Sequence, residues 1–226
     1  MDKATLSSLI TDKIEERSLL KHPFYQAWNA GTLPLDALKN YAAQYYHFEV
    51  AFPTFLSAVH SRVSDLKVRQ QILNNLWDEE HDEANHTALW LRFCEALGLD
   101  PAEVPSTPIQ ASTARLIDTY RDLCGSGDYS QGLAALLAYE DQVPGVAVKK
   151  IAGLKSFYGI DDPRSVSFFT VHTEQDGTHA STERSLVLDA AMSDNQQLAV
   201  LTAVDRATDA LWGFLDGVYT EECVEA

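Results

Sequence analysis

From Phe169 onward, apolar and ionisable positions recur at spacings of three and four: Phe169, His172, Asp176, His179, Glu183, Leu186. That rhythm keeps all six on one side of an α-helix. The outer members are apolar, so the side should face a core, yet the middle four are ionisable. Burying unpaired ionisable groups is costly, and mutual pairing, neutralisation or a metal resolves it. Two imidazoles and a carboxylate one turn apart suit a metal.

The helical period runs through the rest of the chain, and no strand-like alternation holds for a convincing length. A first helix covers about residues 3–20, and HPFYQAW then reads as a loop. Thr32-Leu33-Pro34 opens a second helix, with Leu38, Tyr41, Tyr45, Phe48, Phe52, Phe55 and Val59 as an aromatic-rich stripe. Pro53 removes an intrahelical bond and predicts a kink there. Ser64-Asp65 caps a third helix, which runs to Leu97 before Gly98 ends it. After the loop DPAEVPSTP, a fourth helix ends at Gly125-Ser126-Gly127. A fifth begins near Asp128 and kinks at Pro144-Gly145, a sixth covers about 163–192, and a seventh starts at Ser193-Asp194. About seven helices on short connections predict one all-α bundle, a single domain over residues 1–226.

Two further helices carry the same anomaly. The third has the stripe Leu73, Leu76, Glu79, Glu83, His86, Trp90, Phe93, Leu97, apolar at its ends and polar at its centre. Glu79 and His86 are seven residues apart, about two turns on nearly one azimuth. On the fifth, Glu140 interrupts the core spacing Leu133, Leu136, Val143, Ala147, Leu154. Glu79, His86, Glu140, His172, Asp176 and His179 together offer three carboxylates and three imidazoles. Helical bundles hold two iron or manganese ions with such sets, and oxygen ligands mixed with imidazole favour those metals over thiolate-seeking ones. His22, His47, His60 and His81 fall off these faces and read as structural or surface residues.

With 226 residues, 46% of them hydrophobic, the chain can bury a substantial core, and 11 Gly and 8 Pro suit a helical protein. A formal charge of −16 argues against the basic stripe that a nucleic-acid footprint needs. Cys94, Cys124 and Cys223 have no metal-type spacing and no even pairing, which points to reduced thiols in a cytoplasm, with Cys94 in the core. No stretch approaches a signal peptide or a membrane span.

HPFYQAWNAGTLPLDALKNYAAQYYHFEVAFP resembles the opening of the TenA/PqqC group, whose members share a heme-oxygenase-like helical bundle. LWDEEHDEANHTALW, AYEDQVPGVAVKKIAGL and FFTVHTEQDGTHASTE are more particular. They resemble the Chlamydia protein associating with death domains and its bacterial relatives, a branch of the heme-oxygenase-like dimetal oxidases. The resemblance covers nearly the whole chain. It implies that Glu79, His86, Glu140, His172, Asp176 and His179 hold an iron pair or an iron–manganese pair that activates O₂ with an external reductant. It implies the making of 4-aminobenzoate for folate from the protein itself, in one turnover. A tyrosine would give the ring and a lysine the nitrogen. The matching positions are Tyr25 in HPFYQAW and Lys150 in VKKIAGL, with Tyr41 as a radical relay and Tyr139 as a further candidate. Bundles of this type also imply a homodimer.

The residues alone support part of this. Lys150 lies ten positions beyond Glu140, about 80° around a helix, so it borders the same buried face. A lysine buried there would have a depressed pKa and a nucleophilic amine. Tyr25 and Tyr41 carry no such independent warrant. Three questions stay open at this level. Glu83 and Glu183 lie on the ligand stripes as extra ligands, partners of the imidazoles, or surface carboxylates. Tyr45 and Tyr46 add oxidisable rings beside Tyr41. The same ligands would also serve an oxidase of an external small molecule, and the acidic surface would serve a non-catalytic binding module.

Overall fold

The last helix begins where the sequence predicts: Ser193 accepts from the Gln196 backbone N–H while the Gln196 side chain returns to Ser193, a reciprocal cap. Asp65 also caps where predicted, its side chain accepting from the N–H groups of Lys67 and Val68. The chain, described as a computed structural model, forms ten α-helices among its described residues. These are α1 (Lys3–Glu16), α2 (Pro23–Ala30), α3 (Leu35–His60), α4 (Leu66–Glu80), α5 (His86–Ala96), α6 (Ala111–Gly125), α7 (Tyr129–Glu140), α8 (Val143–Gly153), α9 (Ser167–Ala190) and α10 (Asp194–Val218). The structure describes residues 1–219, without the side chains of 174–180. No strand occurs among the described residues, and no helix there is long and apolar enough to cross a membrane.

The architecture is all-α as expected, with three more helices than predicted, each from an identifiable local cause. HPFYQAW is not a loop. Pro23 occupies the first position of α2, and the His22 imidazole caps it by accepting from the Phe24 N–H. The third predicted helix is two. α4 stops at Glu80, Asp82 adopts a left-handed φ of 65°, and Asn85 restarts α5 by accepting from Ala88 N–H. The fifth is also two. Pro144 cannot coexist with a helical carbonyl four residues earlier, so the chain breaks after Glu140 instead of bending. By contrast, α3 runs through Pro53 as one element.

The core centres on α7, whose residues from Gly132 to Glu140 are all buried. α10, α6 and α9 pack around it. A helix apolar on every side belongs in the middle of a bundle. Its last residue is therefore carried to the interior, and that residue is Glu140. Cys94 and Cys124 are free and buried, as expected for Cys94; burial pushes both thiols up to about 12, which leaves them unreactive.

Candidate metal centre and the Lys150 cavity

Glu79 sits in the final turn of α4, His86 opens α5 and His172 lies in the second turn of α9. One donor atom from each falls within 4.8 Å of the others, and all three side chains are buried. His86 Nδ1 is 2.6 Å from Glu79 Oε2, and the His86 and His172 rings lie 4.7 Å apart. The His172 Nδ1–H donates to the Phe168 carbonyl at 2.6 Å, which fixes the ring and makes Nε2 the nitrogen that can ligate. The expected Glu79–His86 juxtaposition is present, but on two helices: the break at 81–85 returns the chain to the same place.

Glu140 joins from α7. The buried Asn75 amide donates to both Glu140 oxygens, at 2.9 and 3.2 Å, and to Glu183 Oε1 at 3.3 Å. Burial pushes the Glu79 carboxyl up to about 8, with Asp78 and Glu80 adding repulsion. Burial likewise raises Glu140 against the Asn75 hydrogen bond, and lowers His86. Carboxylates forced toward their neutral form beside imidazoles forced toward theirs are a set that a divalent cation would relieve. The donors, a carboxylate and two imidazoles, fit a divalent metal. Asp176 and His179 lie outside the described side chains. Of the two open carboxylates, Glu183 is buried against Asn75, whereas Glu83 is exposed on the 81–85 turn.

On the far side of His172 lies a cavity of about 30 Å³, lined by Tyr25, Tyr41, Tyr45, Tyr139 and Lys150 among others. Lys150 Nζ donates to the Tyr41 hydroxyl at 2.6 Å, and the Tyr25 and Tyr41 hydroxyls are 3.3 Å apart. The Tyr45 and Tyr139 hydroxyls form a second, short pair. The rings of Tyr25, Trp28, Tyr41, Tyr45, Trp90 and Phe169 surround Nζ at 5.0–5.9 Å. Burial lowers Lys150 to about 7, opposed by the Glu49 charge. Burial holds the Tyr25 and Tyr41 hydroxyls well above the usual phenol range. Lys150 thus meets the tyrosines, though not as a continuation of the Glu140 helix: it arrives on α8, after the break at Asp141-Gln142. Tyr45 belongs to this cluster, while Tyr46 points outward beside His47.

Sequence reasoning missed Glu49 and Asn75. Glu49 is 3% exposed, and burial together with the Glu79 charge pushes it up to about 8. It lies four residues after Tyr45 and eight after Tyr41, a spacing that could have revealed it. Asn75 belongs to the true buried stripe of α4, which is Ile72, Asn75, Glu79; the predicted Leu73 is 47% exposed.

An all-helical bundle with a buried carboxylate and two imidazoles from three helices around one point defines the class: a heme-oxygenase-like helical protein with a candidate metal centre. A domain of unknown function with a heme oxygenase-like fold from Shewanella denitrificans superposes with a TM-score of 0.81. It covers 98% of this chain and 94% of its own at 20% identity, which shows the shared fold. The chain belongs to the TENA/THI-4/PQQC family, whose model matches residues 11–221. It is 43% identical to the 4-aminobenzoate synthase of Nitrosomonas europaea, over 97% of this chain and 93% of the relative. It is 40% identical to the 4-aminobenzoate synthase of Chlamydia pneumoniae, over 95% and 96%.

Proposed function

We propose that this chain is a 4-aminobenzoate synthase that consumes its own Tyr25 and Lys150. The observation carrying the reading is the contact of Lys150 with Tyr41, and of Tyr41 with Tyr25, in a cavity that His172 also lines. The relatives named 4-aminobenzoate synthase support the product. The size of the cavity supports the source: about 30 Å³ admits O₂ or water, whereas a benzene-sized guest needs roughly 150 Å³. An external aromatic substrate would not fit beside Lys150.

Glu79, His86, Glu140, His172, Asp176 and His179 would hold two ions, iron with iron or manganese. When bound, those ions would supply O₂ activation with electrons from an external reductant. The chain's own residues do the rest. Tyr25 contributes the ring, its Cα–Cβ bond breaks, and Cβ becomes the carboxyl carbon. Lys150 contributes the nitrogen: Nζ bonds to the ring carbon as the phenolic oxygen leaves as water, and oxidation at Cε, with O₂ as the oxidant, then breaks the Nζ–Cε bond. With its pKa lowered to about 7, its amine is substantially neutral near neutral pH and therefore nucleophilic. Tyr41, bonded to both, relays the oxidation and sets the distance between them. The rings around Nζ keep bulk water from the reacting groups. Free thiols at Cys94 and Cys124 support a cytoplasmic, reducing setting.

The test is isotopic. Protein made with ring-¹³C tyrosine and ¹⁵N lysine is loaded anaerobically with Fe(II), or Fe(II) and Mn(II), then given reductant and O₂. The expected result is doubly labelled 4-aminobenzoate, with loss of the Tyr25 side chain in the intact-protein mass. Unlabelled product from labelled protein would overturn the reading.

A further inference from the structure

Two recesses flank the carboxylate–imidazole cluster. One is the tyrosine–lysine cavity. The other is a cleft of about 260 Å³ between α4 and α9, backed by Leu133 of α7. Its lining runs from exposed to buried: Gln71 and Asn74 are exposed, Asp78 is half-buried, and Asn75 and Glu183 are buried. The inner wall of the cleft is also the outer wall of the centre, because the Asn75 amide bonds Glu183 on one side and Glu140 on the other.

We propose that this cleft is the entry route for the divalent metal, and that Glu183 is the carboxylate that passes the ion from the cleft to Glu140. The inference rests on the metal reading above. Three observations carry it. First, the lining's charged and polar groups are carboxylates, amides and a hydroxyl, from Asp78, Glu183, Gln71, Asn74, Asn75 and Thr182, and among the described residues no Lys, Arg or His lines the cleft. Oxygen donors without a competing cation suit a hard divalent ion, and they repel an anionic reductant. Second, the volume holds an ion with part of its water shell, while the other cavity is small, walled by aromatic rings and guarded by Lys150. A hydrated cation passing those rings would lose its water with nothing to replace it. Third, Glu183 is within reach of the same amide that holds Glu140, so the ion can exchange one carboxylate for the next without crossing apolar ground.

The experiment is anaerobic stopped-flow uptake of Co(II), read by its visible absorbance, with metal per chain measured after equilibration. Glu183→Gln keeps the side-chain volume and removes the carboxyl. Gln71→Lys places a cation at the exposed mouth, where folding is not at risk. Both variants are expected to take up Co(II) about tenfold more slowly, as loss of a relay carboxyl or gain of a repelling charge at the mouth does, and to reach the parent's final content. Unchanged rates in both would overturn the route. A Glu183→Gln variant that fills at the parent's rate but to a lower content would make Glu183 a resident ligand, and would also overturn it. If the parent chain itself takes up no Co(II), the metal reading fails first, and that outcome is distinct from failure of the route.

Discussion

Lys150 Nζ lies 2.6 Å from the Tyr41 hydroxyl, joining the middle of α8 to the first half of α3 inside a ring of aromatic side chains. Tyr41 in turn is 3.3 Å from Tyr25, so a single phenol stands between the proposed nitrogen donor and the proposed ring donor. Tyr41→Phe removes that one oxygen and keeps the packing. Product yield is expected to fall on the order of a hundredfold, the usual scale for a positioned proton-transferring group. Stability should fall by about 1–3 kcal/mol, since Lys150 loses a buried partner. Product assay by mass spectrometry and urea unfolding read the two effects, and full yield from Tyr41→Phe would take Tyr41 out of the path.

The same lysine sets a pH dependence. Burial lowers Lys150 from 10.5 to about 7, so its amine loses its proton as pH rises through 7. Product formation from metal-loaded protein should rise across that range and level off above about 8. Stability carries the matching sign. Between about 7 and 10.5 the unfolded chain holds a proton that the folded one lacks, so the cost of burying Lys150 is full below 7 and relieved as pH rises. Lys150→Met should therefore be more stable than the parent at pH 6, with the advantage shrinking toward pH 10. Equal melting profiles at both values would mean that Lys150 is not desolvated.

Much of this centre is legible from spacing alone, and the exceptions have physical causes. Glu79 and His86 fall on one predicted face, yet no helix connects them. A seven-residue spacing looks the same whether the helix continues or stops at Glu80 and restarts from the Asn85 cap. Lys150 reaches the interior although the helix expected to carry it ends at Glu140, because Pro144 starts α8 at once and keeps the packing against α9. Glu49 is hidden for the opposite reason. Its neighbours Phe48 and Phe52 make an ordinary core stripe, and one acid beside exposed Val50 reads as the stripe's edge. α2 escapes notice because its cap is a histidine, a residue seldom counted among capping residues.

Metal binding should strengthen with pH, through the carboxyls. Burial raises Glu49 and Glu79 from 4.5 to about 8, so the metal-free fold binds protons that the unfolded chain has already released. Their stabilising contribution is full below about 4.5 and lost as pH rises through 8. His86, lowered by burial, opposes this only below its ordinary value of 6.5, and Lys150 opposes it with one proton above about 7. Between 6.5 and 8 the metal-free melting temperature is thus expected to fall. Added Mn(II) displaces the Glu79 proton, and its stabilising shift should grow over that interval. Differential scanning fluorimetry at pH 6.5 and 8 with and without Mn(II) checks both signs. A shift that shrinks with pH would contradict proton–metal competition at Glu79.

The distance between α2 and α8 is set by Gly153. A Cβ at that position would lie 2.5 Å from Trp28 Cδ1 and 2.6 Å from Nε1, well inside contact. The Gly153 backbone is ordinary helix, with φ −67° and ψ −44°, so steric exclusion is the reason for glycine there. Trp28 has little room to yield, being fully buried against Phe24, Tyr25, Tyr41 and Tyr158. Gly153→Ala gains about 1 kcal/mol of helix propensity. It loses about 1–3 kcal/mol to overpacking, and the net expectation is destabilisation. The push on Trp28 falls on the same rings that hold Lys150, so product yield should drop while metal per chain stays at the parent's value. Gly145→Ala is the control, since a Cβ there meets nothing within 4 Å on the exposed side of α8. It should be neutral or slightly stabilising and keep full yield. If the two alanine variants behave alike in urea unfolding and in product assay, Trp28 is free to move and does not set the position of Lys150.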